Sequence, residues 1–509
     1  MNLLARPLYY WPLLILTAAA TPLAFAPYYL FWLMPLLFAV LTALLHLRPG
    51  RQIRSAYVFG LTAYTAQFYW VYTALHTVSG LPKLYAVPLT FLLPAYLALF
   101  PAAAVWLWRQ TRLPRLLSAG IALPLCWTLA EFARERLLTG FGWGALGYSQ
   151  IADASPLAGW ISIGGIHLLT LVTAAFGTWL YLLVSRATPL RSRVVPAVCM
   201  AFYLMLGIWF KQTDYTRPAG RPVSVALIQG NIEQGLKFRE DQFLPTLQTY
   251  YRRVADARAD IVILPETAIP AMRQDLPQSV LDEFAAAARA NGSALAVGIP
   301  QYTDDTRSAY LNSAVHLTAD TVGSAPLPAY SKNHLVPFGE YKPLPALTEP
   351  LYRLMDMPLS DFRRGGAAQP PFDMAGQKVA FNICYEDGFG EELIASARQA
   401  TLLANISNMA WYGRSNAMFQ QLQQSQARAL ELGRYMVRAT NTGATAIVDH
   451  KGRIVSQALP DTETTLEGTV QGMSGQTPYM MYGSRWLWAV AAAVAALVLH
   501  GRLTRRKDT

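Results

Sequence analysis

Apolar runs long enough to cross about 30 Å of hydrocarbon recur at 8–25, 27–47, 56–76, 84–108, 116–137, 157–185, 194–210 and 484–503. They predict eight membrane-spanning helices, seven before residue 211 and one near the C-terminus. Arg6 ahead of the first run gives it the look of a signal peptide, but no small-residue cleavage site follows, so a retained helix is expected. From about 220 to 475 the pattern changes. Short runs such as VSVALIQGN, ADIVILPETAIP, KVAFNICYED and TLLANISNMAWY are separated by turn-rich stretches, while 239–258 and 277–291 carry apolar residues at helical spacing. Continuous Val/Ile/Leu runs predict strands buried on both faces, hence a layered α/β domain with helices packed outside. The expected organisation is a polytopic α-helical membrane domain over 1–211, an α/β domain over 220–475, an eighth span at 484–503 and a basic tail at 504–509.

The short connections orient these spans. Arg48, Arg51 and Arg54 follow the second, Arg109, Arg112 and Arg115 the fourth, and Arg186, Arg191 and Arg193 the sixth, whereas the loop after the third holds only Lys83. The positive-inside bias puts the even-numbered loops and both termini in the cytoplasm and the 220–475 domain outside. Arg502, Arg505, Arg506 and Lys507 then fall inside, as eight spans require. With three cysteines and nothing that suggests glycosylation, a bacterial inner membrane with a periplasmic domain is expected.

Composition agrees: 53% of the 509 residues are hydrophobic and 14% charged. The net charge of +11 would suggest nucleic acid, but its distribution excludes that partner. Residues 1–210 hold 13 Lys/Arg against 3 Asp/Glu, while 211–500 hold 25 against 27, so the polar domain has no cationic excess with which to replace phosphate counterions. Three cysteines make no disulfide framework, and Cys126 and Cys199 sit in apolar runs. Glu131, Arg134, Glu135 and Arg136, before the Gly-rich stretch Phe141–Gly144, are expected to form an interfacial helix end, with contact to lipid headgroups beside an active site as the alternative.

Three polar residues stand at predicted strand ends: Glu266 after IVILP, Lys332 in YSKNHLVPFGEY and Cys384 at the close of KVAFNI. A rigid sheet presents side chains well at such places. A thiol is a strong nucleophile once a base removes its proton, and Glu and Lys supply a base and a cation. Each residue alone has an ordinary reading: a capping carboxylate, a surface lysine, a core cysteine. Together in one α/β domain they point to covalent catalysis. The seven His are scattered, with His316 and His334 lacking ligand-spaced partners, and no phosphate-cradling glycine loop is found, so neither metal nor cofactor is expected.

The PET segment at 265–267, YSKNHLVPFGEY at 330–341 and NICYED at 382–387 resemble the signature regions of the carbon–nitrogen hydrolase (nitrilase) superfamily. With the eight spans, VALIQGNI at 225–232, GFGWGALGYSQ at 140–150 and NISNMAWYG at 405–413, the whole chain resembles the apolipoprotein N-acyltransferase family. The resemblance implies a nitrilase-like α-β-β-α sandwich and an acyltransferase that completes bacterial lipoprotein maturation through a thioester. It casts Glu266 as general base, Lys332 as the oxyanion's cation and Cys384 as nucleophile. Glu340 would orient the set, Tyr385 and Glu386 flank the nucleophile, and Phe238 and Trp411 contact substrate. Phe238 stands where a family Trp is expected and Met409 where many relatives carry Asp. The implied partners are a phospholipid donor, phosphatidylethanolamine foremost, and a diacylated apolipoprotein acceptor, with the enzyme a monomer. Segment 353–366 and the loop around Trp411 are candidate lids. A membrane-tethered amidase using the same three residues, and a transporter with an external binding domain, are the rival functions.

Overall fold

The computed structural model describes residue 4 and residues 6–304, 306–318, 327–352 and 361–507. The chain forms two compact units: Met1–Tyr69, Val87–Thr213 and Pro478–Thr509 make one, and Trp70–Ala86 with Asp214–Thr477 make the other.

The first unit is helical. Each of the eight apolar runs contains a helix. Among the described residues, five helical stretches are long and apolar enough to cross a membrane: Lys83–Thr111, Arg115–Thr139, Ala158–Val184, Leu190–Gln212 and Trp486–Leu503. A sixth arises if Leu33–Leu47 and Pro49–Gln67, which meet at 107°, count as one broken span. The leading helix, Pro7–Ala19, has only 13 residues. The predicted third span, 56–76, is displaced: its helix runs Gln52–Gln67, and the chain from Trp70 onward joins the other unit. Helix Val194–Gln212 leaves Val195, Val198, Phe202, Met205 and Trp209 exposed, an apolar outer face suited to hydrocarbon.

The interfacial reading of 131–136 needs correction. Glu131 and Arg134 are buried within this unit. Glu131 accepts from the Trp127 indole at 3.0 Å, the Leu146 amide at 3.2 Å and the Thr170 hydroxyl at 2.9 Å. Arg134 donates to the carbonyls of Phe141 at 2.9 Å and Trp143 at 2.6 Å, and Glu135 lies 3.0 Å from His167. A glycine-containing loop cannot satisfy its own buried backbone, so the charges of one helix do it instead.

The second unit contains two six-stranded sheets. One has the order β13-β2-β3-β4-β5-β6, with β2 Val223–Gln229, β3 Ile261–Ile263, β4 Ala294–Tyr302, β5 Tyr310–Leu317, β6 Ala329–Ser331 and β13 Thr464–Val470. The other has the order β12-β11-β10-β9-β8-β7, with β7 Phe372–Met374, β8 Gln377–Ile383, β9 Leu402–Ser407, β10 Tyr435–Thr440, β11 Ala446–Val448 and β12 Ile454–Gln457. At each centre lies a parallel trio, β2-β3-β4 and β8-β9-β10. Outside the two sheets, β1 Thr216–Pro218 pairs with β14 Met473–Gly475, bringing the start and end of the unit side by side.

The alternation of sheet faces explains the unbroken apolar runs. Val225, Leu227, Ile261 and Ile263 of one sheet pack with Val379, Phe381, Ile383, Leu402 and Ile406 of the other. The opposite face of the first sheet, with Ala226, Ile228 and Val262, packs on helices Glu240–Asp256 and Gln278–Ala290 through Leu247, Tyr250, Leu281 and Phe284. Helices Gly390–Ala397 and Ala417–Leu432 accompany the second sheet, completing the α-β-β-α layering that the family resemblance implied, with helices outside buried strands as the runs predicted.

Candidate active site

The candidate residues stand where strands end. Cys384 directly follows β8, Lys332 directly follows β6, and Glu266 comes three residues beyond the end of β3. Gly298 on β4 makes room for Glu266: a Cβ there would come within 2.1 Å of the Pro265 carbonyl and 2.9 Å of the Glu266 Cα. Cys384 has φ +53°, a left-handed conformation that costs a non-glycine residue energy and commonly marks a functional turn.

The structure brings Glu266, Lys332, Glu340 and Cys384 together, all largely buried. Lys332 Nζ lies 2.8 Å from Glu340 Oε1 and 3.5 Å from Glu266 Oε1. Asn312 of β5 bridges the carboxylates, its Nδ2 donating to Glu266 Oε1 at 2.7 Å and Glu340 Oε1 at 3.0 Å. The Asn408 backbone N–H donates to Glu266 Oε2 at 2.8 Å, and that of Val336 to Glu340 Oε2 at 2.8 Å. Both carboxylates are thus held between a cation and amide donors.

Electrostatics assign the resting protons. Burial disfavours a charged Lys332, but Glu340, Glu266 and Cys384 outweigh it and raise its pKa, so the ammonium persists. Burial, reinforced by Glu266 and opposed by Lys332, pushes the Cys384 thiol up to about 12. The arrangement favours a neutral thiol beside a carboxylate that could act as its base. Lys237, buried beside Glu266 and donating to the Glu266 carbonyl at 3.1 Å, is lowered to about 8 by burial, with Glu266 opposing.

Other predicted residues take different places. Glu386 is buried facing backbone: it accepts from the amides of Ile383 at 2.6 Å, Asn333 at 2.7 Å and His334 at 3.0 Å, and from the Tyr330 hydroxyl at 2.8 Å. It fastens the turn carrying Cys384 to the segment that follows Lys332. The Tyr385 ring packs 5.1 Å from that of Phe389 and 5.7 Å from that of His334. Phe238 and Trp411 are half-buried. Next to Trp411, Tyr412 lies within electrostatic range of Cys384, Lys332, Glu340 and Glu266, and its ring meets Trp70 at 4.6 Å. Trp70 also donates its indole N–H to Gln420 at 3.2 Å, so a segment read as membrane span belongs to the site's surroundings. Of the lid candidate 353–366, residues 353–360 lie outside the described residues.

Sequence reasoning missed Asn312, Lys237, Asp387, Gln421 and Arg438. Asp387 accepts from Arg438 at 3.0 Å and from Asn382 at 2.6 Å, and it also pairs with Ser425. Arg438 donates to Gln421 Oε1 at 2.5 Å, and Gln421 Nε2 lies 3.7 Å from Cys384 Sγ. Asp387, three residues past Cys384, was the one legible signal of this network, since a buried carboxylate demands a cation.

An α-β-β-α sandwich presenting Glu, Lys and Cys at strand ends defines the carbon–nitrogen hydrolase class of protein, and the chain matches the Carbon-nitrogen hydrolase family model over residues 224–479. Residues 17–179 match the model of the apolipoprotein N-acyltransferase N-terminal domain. The chain is 63% identical over 495 residues to the apolipoprotein N-acyltransferase of Neisseria meningitidis serogroup B, covering 97% of this chain and 96% of that protein. It is 50% identical over 469 residues to that of Chromobacterium violaceum, covering 92% and 89%, and 39% identical over 495 residues to that of Nitrosomonas europaea, covering 95% of each. The chain belongs to the apolipoprotein N-acyltransferase family of acyltransferases.

Proposed function

We propose that this enzyme moves a fatty acyl chain from a phospholipid to the α-amino group of the N-terminal diacylglyceryl-cysteine of apolipoproteins, by a ping-pong reaction through a thioester on Cys384. The observation that carries the reading is the grouping of Cys384 with Glu266, Lys332 and Glu340, in a chain whose other unit is apolar helices.

Glu266 takes the thiol proton as Sγ attacks the ester carbonyl carbon of the donor. Lys332 and the backbone N–H near Tyr385 receive the developing oxyanion, and Glu340 with Asn312 holds Lys332 and Glu266 in place. The C–O bond breaks, the lysophospholipid oxygen recovers the proton from Glu266, and the acyl group stays on sulfur. In the second half-reaction the lipoprotein amine attacks the thioester carbonyl, Glu266 takes an amine proton, and the C–S bond breaks to give amide and regenerated thiol. One difficult ester-to-amide exchange becomes two easier ones, driven by the ester's own bond energy. Phosphatidylethanolamine is the proposed donor and the enzyme acts as a monomer.

Membrane residence follows from the substrates, since both carry chains that stay in hydrocarbon. We place the enzyme in the bacterial inner membrane with eight passes, cytoplasmic termini and the Asp214–Thr477 unit in the periplasm. Trp411 and Phe238 are proposed to contact the substrate chains, and Tyr385 and Glu386 to support the nucleophile's turn. Incubation of purified enzyme with phosphatidylethanolamine and a synthetic diacylglyceryl-cysteine peptide tests the whole reaction. The expected product is the peptide heavier by one acyl residue together with lysophosphatidylethanolamine; fatty acid released with no peptide gain would identify a hydrolase instead.

A further inference from the structure

The helix Ala417–Leu432 has a sequence, AMFQQLQQSQARALEL, that reads as a polar surface helix, yet every one of its residues from Gln420 to Leu432 is buried. Polar side chains are buried at such density only where partners exist for them. For Gln421 those partners are Arg438 on one side of its amide and Cys384 on the other. The assignment of the two amide ends follows from chemistry. A guanidinium has donors and no acceptor, so the amide oxygen must face Arg438 and the NH2 must face the sulfur. Arg438 is itself fixed by Asp387 at 3.0 Å and Asn405 at 2.8 Å, with all four side chains buried.

We propose that Gln421 is a catalytic hydrogen-bond donor to Cys384 Sγ, stabilising the sulfur anion as the thiol proton leaves and again when the thioester breaks, with Arg438 and Asp387 as positioning residues that lock its amide in the donating orientation. This rests on the reading of Cys384 as the nucleophile. Around the sulfur stand two carboxylates, Glu266 and Glu340, which oppose a negative charge, and Lys332, which favours it. Beyond Gln421 lie Arg438 and Asp387, and the Tyr412 phenol is the further titratable group in range. Lys332 is committed to the carboxylates at 2.8 and 3.5 Å, which leaves the Gln421 amide as a donor aimed at the sulfur itself. Its N–H serves both half-reactions because the sulfur is anionic in each, once as attacker and once as leaving group.

The test uses the full-length enzyme in detergent, as wild type, Gln421→Met and Gln421→Glu. Iodoacetamide alkylation of Cys384 is followed by peptide mass between pH 6 and 10, with Cys126 and Cys199 of the same chain as internal references. A hydrogen bond to a charged group is worth about tenfold or more, so Gln421→Met should alkylate about tenfold more slowly at pH 8, its pH profile moved up by about one unit. Gln421→Glu, which keeps a partner for Arg438 but turns an anion toward the sulfur, should be slower still. Acyl transfer should fall in kcat with KM unchanged. A merely structural role would lower the melting temperature and leave the alkylation profile of folded enzyme where it was, and that result would overturn the proposal. If Gln421→Met does not fold, an unchanged profile in Gln421→Glu overturns it equally. Retention of acyl transfer by Cys384→Ala would instead show that the nucleophile itself is misassigned.

Discussion

Two buried ionic clusters do opposite work. In the helical unit, Glu131 and Arg134 are solvated by neutral groups: an indole, an amide and a hydroxyl around the carboxylate, two carbonyls at the guanidinium. In the catalytic unit, Lys332 faces two carboxylates directly, and those carboxylates stand beside a thiol whose proton they can draw away. The first arrangement serves as a fastener of the loop onto its helix. The second concentrates like charges around one cation, so that moving a single proton redistributes the interactions. Buried charge is therefore not in itself a sign of chemistry; what separates the two is whether the partners are fixed dipoles or other titratable groups.

This contrast can be broken in order of severity. Cys384→Ala or Glu266→Gln should remove acyl transfer by more than about a thousandfold while leaving the fold intact, since each deletes a reacting group, and turnover of a phospholipid–lipopeptide pair measures it. Lys332→Met should cost both activity and about 3–5 kcal/mol of stability, because it leaves two buried carboxylates without their cation. Chemical denaturation of wild type and variant measures the stability loss. In the helical unit, Glu131→Leu should leave activity per folded molecule unchanged but lower thermal stability in detergent by about 1–3 kcal/mol, the cost of orphaning buried donors. At the small end, Arg253→Ala breaks an exposed pair with Glu463 at 3.0 Å and should change stability by less than about 1 kcal/mol.

Protonation of the thiol offers a sharper probe. Because burial and Glu266 raise the Cys384 pKa, its alkylation should climb steadily from pH 7 to pH 10. An ion-paired thiolate would give a plateau reaching below pH 6, and that profile would contradict the assignment of Glu266 as base.

The apolar runs made the catalytic layers legible, because strands buried on both faces cannot alternate and so stand out from the helices that cover them. Glu266, Lys332 and Cys384 were legible for a related reason: they directly follow such runs, and strand ends are where polar side chains are otherwise unexpected, whereas Glu340 was reached only through the family resemblance. Asn312, Arg438 and Gln421 were not. The first two sit inside β5 and β10, where one polar residue reads as a flaw in the pattern, and Gln421 lies in a helix whose polar composition imitates a solvated surface. Hydrophobic periodicity measures transfer from water and cannot register a polar group whose partner arrives from a distant strand. Residues 70–76, read by their apolar composition as the end of the span 56–76, show the same limit, because the Trp70 indole donates to Gln420.

The central claim is that Cys384 accepts an acyl chain from a phospholipid. The direct test is the intact mass of the purified enzyme after incubation with phosphatidylethanolamine, beside Cys384→Ala. The account predicts a gain of one fatty acyl group, removable by hydroxylamine and absent from the variant; no gain in folded wild-type enzyme, with the phospholipid left intact, would contradict it.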